Sequence, residues 1–228
     1  PLSMDRNNFA LYVHELRNQC IFAETAIGLF NQSIEKQSKM GAFFALQSFL
    51  TAASQVARLL WPNRVKGKRR AETLRAALGI PANYPLNDER LLNFWEWSDE
   101  KTDNWIQSSK NQIIAFDYFG PAVELKPVPP KDEHIYRAYD PTTRLFHYRG
   151  EVYNIQLIVS RIAEIAARIN QAHDQLFPKP QQEAKAGEAG DAAAGQAPAG
   201  EEANDAAAAP AEAPANDAPA AEEATQNA

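Results

Sequence analysis

Four groups of residues in this chain have the types and spacing that chemistry requires. Glu96, Asp99, Glu100 and Asp103 recur at i, i+3, i+4 and i+7, so on a helix they share one face. Four such carboxylates are suited to a hard cation. No His lies near them and Lys101 borders the stripe, so they read as a solvated acidic face, with no metal site. Arg168 and His173 have the spacing of a phosphate-cleaving Arg–His pair. With 13 Arg and four His in the chain, roughly 0.7 pairs of that spacing arise by chance, so the pair carries no catalytic assignment. Arg64, Lys66, Lys68, Arg69 and Arg70, with Arg75 beyond, form a basic run able to contact phosphate. His147 stands between Arg144 and Arg149 in an alternating stretch. It reads as an ordinary strand residue, exposed at most as part of a basic hairpin surface.

Other chemistries lack their raw material. A single cysteine excludes a disulfide framework and any Cys-based metal cluster. Cys20 falls on an apolar stripe and reads as packing. There is no Gly-rich phosphate loop, nucleophile elbow or Cys–His cluster. We therefore assign no catalytic residue and no cofactor.

The elements that must position these groups are mostly helical. Phe9, Val13, Leu16, Cys20, Ala23, Ala26 and Phe30 predict one amphipathic helix from Met4 to about Gln37, with a break near Gly28. Lys39 to Trp61 predicts a second helix, apolar almost all the way round and central to the core, stopped by Pro62. The basic run then reads as a connection, followed by a short helix from Ala71 to Leu78 closed by Gly79. Asn87 or Asp88 caps a predicted helix running to about Phe116. On it, Trp95, Trp97 and Trp105 read as core or interface residues.

The texture then changes. Ala122 to Val128 alternates weakly, and His134–Tyr139 and Arg144–Tyr148 are β-rich around the turn Asp140-Pro141-Thr142-Thr143. Asn154 caps a last helix to Leu176. The expected fold is mainly α: a helical bundle over residues 1–179, with a small antiparallel β-hairpin within 122–149 before the last helix.

Charge divides the chain. From 181 to 228 there is no aromatic residue and no Val, Ile, Leu or Met; ten acids and Lys185 give −9. With −6 overall, residues 1–180 carry +3. Such an Ala/Pro-rich acidic segment cannot bury enough apolar surface to offset its ordering entropy, so disorder is expected over 180–228. The most apolar stretch, Met40 to Trp61, holds too many polar residues for a membrane span. The chain opens without a basic-then-apolar signal pattern, which predicts a cytoplasmic location and no membrane partner.

The stretch from Asp88 to Trp105 also carries a resemblance. It is similar to a group of bacterial helical proteins whose equivalent helix reads Arg-Asn, three residues, His, then Asp-Glu-Arg. Those proteins in turn resemble the HEPN superfamily of helical ribonucleases and nucleotide-binding proteins. Phe43 to Trp61, Leu74-Arg75, Leu78-Gly79-Ile80, Gly120-Pro121, Tyr139-Asp140-Pro141 and Gly150-Glu151 extend the likeness over the body. The resemblance implies a homodimer, in which two protomers bring their motifs together around a scissile phosphate. There an Arg steadies the phosphoryl charge and a His moves the proton. In this chain Leu92 occupies the Arg position, Asn93 is retained, Trp97 occupies the His position, and Lys101 stands for the last Arg of the acidic box. Leu92 and Trp97 suit a packed helix face and can perform neither role. The expectation is a non-catalytic binding protein with a protein or RNA partner. The alternatives are a HEPN-type ribonuclease, or a nucleotide-binding helper in a defence or toxin-antitoxin system.

Overall fold

A computed structural model describes residues 4–110, 114–126 and 131–178. All lie in the first of the two units into which the chain divides, Pro1–Gln181. The segment 180–228, expected to be disordered, lies outside the described residues, as do residues 127 and 128 of the weakly alternating stretch.

The architecture is a helical bundle with a small sheet inserted before the last helix. Helix α1 spans Arg6–Glu35 and α2 spans Lys39–Leu60. They form an antiparallel hairpin joined by Lys36, Gln37 and Ser38, with the Ser38 side chain accepting from the Gly41 amide. Helix α6, Ile155–Leu176, packs on α1, and Asn154 caps it by accepting from the Leu157 amide. Val13, Leu16, Leu46, Phe49, Leu50, Ile162, Ile165 and Ile169 form the shared core. Helix α1 runs unbroken through Gly28, where nothing approaches the backbone. The expected break is absent because the apolar stripe continues across that position to Phe30.

Helix α3 is longer than the sequence suggested. It spans Val65–Leu78, so most of the basic run is helical and not a connector. Lys and Arg are good helix formers, and Gly79 in the left-handed region closes the helix as expected.

The helix expected from 88 to 116 is instead two pieces. Helix α4 is a single turn, Glu89–Leu92, and α5 spans Ser98–Ser109. Between them Trp97 adopts φ 50° and ψ 46°, the left-handed region. Side chains donate to carbonyls on both sides of the turn. Arg149 donates from Nη1 to the Ser98 carbonyl at 2.8 Å and from Nη2 to the Phe94 carbonyl at 3.2 Å. Lys101 donates to the Asn93 carbonyl at 2.6 Å.

The sheet has strands β1 (Tyr118–Phe119), β2 (Arg137–Asp140), β3 (Leu145–Tyr148) and β4 (Glu151–Asn154), in that order. β2 and β3 are the expected hairpin. β4 adds a second antiparallel pair, and β1 pairs parallel to β2. Arg149 and Gly150, both at positive φ, make the two-residue turn into β4. Ala122–Glu124 forms a 3₁₀ turn where weak alternation suggested a strand. The Ala122 amide is drawn to the buried Asp140 carboxylate at 3.0 Å.

Candidate nucleic-acid interface

The basic run is divided between two faces because it lies on a helix. Lys66, Arg69, Arg70 and Thr73, at i, i+3, i+4 and i+7, face α1. With Met4, Asp5, Asn8 and Tyr12 they line an open groove of about 520 Å³. Lys68, Glu72 and Arg75 face the other way and line a cavity of about 380 Å³ with Trp61, Pro62, Asn63, Ala82 and Asn87.

Two of the cations have structural duties. Arg70 donates from Nη2 to the Leu59 carbonyl, and Arg75 donates from Nη1 to the Leu60 carbonyl. They satisfy the end of α2, where orphan carbonyls and the helix dipole favour positive charge. The Arg70 guanidinium also lies 5.0 Å from the centre of the Tyr12 ring. Arg64, Lys66, Lys68 and Arg69 are exposed and form no ion pair among the described residues. They are the four charges available to a phosphate backbone.

The acidic stripe is not one face. Glu96 lies in the turn and pairs with Arg58 at 3.3 Å. Asp99 and Glu100 occupy the first turn of α5, where they complement its dipole, and Asp103 is exposed one turn on. No group of three or more metal-ligating side chains exists among the described residues.

The family positions also separate. Leu92 ends α4 and is buried, whereas Trp97 precedes α5 and is 62 % exposed. The reading of both as packed helix positions holds for Leu92 alone. Asn93 accepts from Asn63 Nδ2 at 2.7 Å. Besides its bond to the Asn93 carbonyl, Lys101 pairs with Glu151 at 3.5 Å. Of the three tryptophans, Trp105 is core, while Trp95 is exposed with its indole N–H on Thr51.

Arg168 and His173 do not converge. Arg168 donates to the Gly79 carbonyl at the end of α3. His173 instead meets His14 of α1, with Nδ1 of His14 3.4 Å from Nε2 of His173. Asn18 Nδ2 lies 3.2 Å from the other ring nitrogen of His14, Nε2. Burial, with Arg17 and His14 nearby, pushes the His173 pKa below its ordinary value. This pair joins residues 159 positions apart, and no local spacing signals it.

His147 is buried and not part of a basic surface; its Nδ1 lies 3.1 Å from Asp132. Burial lowers its pKa against the pull of that carboxylate. Burial likewise pushes the Cys20 thiol up to about 12, which leaves it inert at neutral pH.

No family model matches this chain, and comparison with curated proteins and with solved structures finds no match.

Proposed function

We propose that this is a non-catalytic helical binding protein that takes a nucleic acid on the basic face of α3. The observation that carries the reading is the exposed pair Lys66 and Arg69, without an ion pair among the described residues, on a groove that Tyr12 also lines, with Arg64 exposed just before the same helix and Lys68 exposed on its other side. Phosphate contacts of this kind give affinity without base specificity. Tyr12 and Asn8 add a ring edge and an amide next to the charges. Leu92 and Trp97 supply neither a proton-transfer group nor a cation.

The same reading has two copies associating through their long helices. Leu11, Phe22 and Leu29 are exposed and fall along one line of α1. No described helix is long and apolar enough to cross a membrane, so this apolar line is not part of a membrane span.

The test is fluorescence anisotropy with a single-stranded RNA oligonucleotide across a salt series. The triple variant Lys66→Gln, Lys68→Gln, Arg69→Gln should bind at least about tenfold more weakly at low salt. Its log K against log salt slope should fall by about 2, the value for three lost contacts on a single strand. Equal binding by both proteins would sink the assignment. Cleavage of the RNA by purified protein would favour the ribonuclease alternative.

A further inference from the structure

We propose that the cavity on the other side of α3 takes an unpaired guanine base from the bound strand, and that Glu72 reads it. This rests on the reading of α3 given above and adds a base preference to phosphate contacts that carry none.

Glu72 is the one acid of α3, a helix that holds five cations. On a surface for phosphate a carboxylate works against binding, so its place there calls for a reason. Glu72 is exposed and forms no ion pair among the described residues. Lys68 stands four residues before it and Arg75 three after, so the three share one helix face. That face lines the cavity of about 380 Å³. The volume falls within the range of sites that hold small molecules, roughly 300–1,000 Å³.

The hydrogen-bonding groups left over at the cavity are specific. Arg75 donates from Nη1 to the Leu60 carbonyl, which leaves the rest of its fork. The Nδ2 groups of Asn63 and Asn87 donate to Asn93 and to the Ala82 carbonyl, so each keeps its amide oxygen as an acceptor. Trp61 lines the cavity at 6 % exposure, and its indole N–H is a buried donor with no partner among the described residues. A parallel stack on Tyr84, ring centres 5.9 Å apart, fixes that wall. The cavity thus offers a carboxylate between two cations.

Guanine is the base that matches this set. It presents the acceptors O6 and N7 beside the donors N1–H and N2–H₂. A carboxylate only accepts, so Glu72 can take N1–H and N2–H together. Adenine and cytosine place a ring-nitrogen lone pair beside their amino group, and uracil places a carbonyl on each side of its N–H. Each of the three turns an acceptor toward Glu72. Arg75 is left to donate to O6 or N7, the pairing by which Arg and Lys read guanine in DNA, and Lys68 to the strand's phosphate. In a duplex N1–H and N2–H₂ are already paired, so the base must come from a single strand. Helix α3 is about 10–12 Å wide with its side chains. A strand held by Lys66 and Arg69 therefore crosses one helix to bring a base to Glu72.

The experiment measures anisotropy of the full chain with two labelled decamers at 0.1 M salt, one all uridine and one with a single central guanosine. The guanosine strand should bind about tenfold more tightly, within the discrimination that one bidentate base contact supplies. Inosine at the same place lacks the N2 amino group and should lose most of the preference. Glu72→Gln keeps the size and the helix propensity and should bring the ratio of the two affinities below about twofold. Equal affinity of the parent for the two decamers would overturn the guanine site and leave the reading of α3 standing. Inosine bound as tightly as guanosine, or a ratio that survives Glu72→Gln, would overturn the role of Glu72. A titration with GMP alone separates the two proposals. If GMP shifts the amide signals of Asn63, Glu72 and Asn87 in a protein that binds neither decamer, guanine recognition stands and the function proposed for α3 falls.

Discussion

The α1–α2–α6 core and the segment from Asn93 to Asn154 solve the same problem by different means. In the three long helices, backbone groups are satisfied within a few residues along the chain. The side chains only have to pack, and Val13, Leu46, Phe49 and Ile165 do so with almost no exposure. Between Asn93 and Asn154, elements are short and polar side chains close the backbone of distant segments. Arg149 holds Phe94 and Ser98, Lys101 holds Asn93, and Asp140 holds Ala122, Thr142 and Thr143. The first region is stabilised by area removed from water. The second depends on a few charge-assisted hydrogen bonds.

The contrast predicts different sensitivities. Phe49→Ala should cost about 3–5 kcal/mol, because it removes an aromatic side chain from a close-packed interior that cannot collapse fully. Chemical denaturation would measure it. A loss under 1 kcal/mol would mean that the helical core is looser than its burial indicates.

Arg149→Met should come next, at about 3 kcal/mol. Methionine replaces the aliphatic stem but removes the guanidinium, which lies 4.3 Å from the centre of the Tyr148 ring. It leaves the Phe94 carbonyl without the Arg149 donor and the Ser98 carbonyl with the Thr102 hydroxyl as its side-chain donor. Since the buried charge also carries a desolvation cost, a neutral or stabilising outcome would show that packing, not hydrogen bonding, holds the turn.

That division also explains what the sequence revealed. Period 3.6 marks α1, α2 and α6 because each buries one stripe, and Asn154 marks a helix start because capping is local. The turn at 93–97 left no such trace. Its cause is Arg149, some fifty positions away, and nothing about an Arg in a hairpin turn says which carbonyls it will reach. Trp95 and Trp97 read as core or interface by residue type, yet Trp97 precedes α5 with its ring outward. The basic residues of α3 were legible as charges, but their helical arrangement, and so the division into two faces, was not. The groove itself needed the N-terminal turns of α1 to be brought beside α3.

Asp140→Asn should cost about 2 kcal/mol at neutral pH. The carboxylate accepts from three backbone amides, at 2.8 Å from Thr142, 3.0 Å from Ala122 and 3.3 Å from Thr143, and amide groups accept such bonds less strongly than an ion. Burial opposes ionisation, yet those amides hold the Asp140 pKa below its ordinary value. A folded-state pKa below the unfolded one means that the unfolded chain binds the proton more readily. The stabilisation is therefore present above about pH 4 and fades as the pH falls toward the folded value. The parent protein should lose stability faster than the variant over that acid range. Parallel pH profiles would remove Asp140 as the hinge between the hairpin and the Ala122 turn.

The smallest effect separates backbone from side chain at Trp97. An L-residue in the left-handed region costs roughly 1 kcal/mol or more, and a bulky side chain is rare there. Glycine adopts the same angles freely. The indole is mostly exposed, so truncating it sacrifices little burial. Comparing Trp97→Ala with Trp97→Gly removes the ring in both cases and leaves the backbone cost in only one. Glycine normally loses to alanine because its unfolded chain has more freedom. Here the order should invert, with the Gly variant the more stable by about 1 kcal/mol. Thermal melts of the two variants side by side are sufficient. An Ala variant as stable as Gly would mean that the turn relaxes once the indole is gone, and that the Arg149 and Lys101 bonds tolerate a second backbone path between α4 and α5.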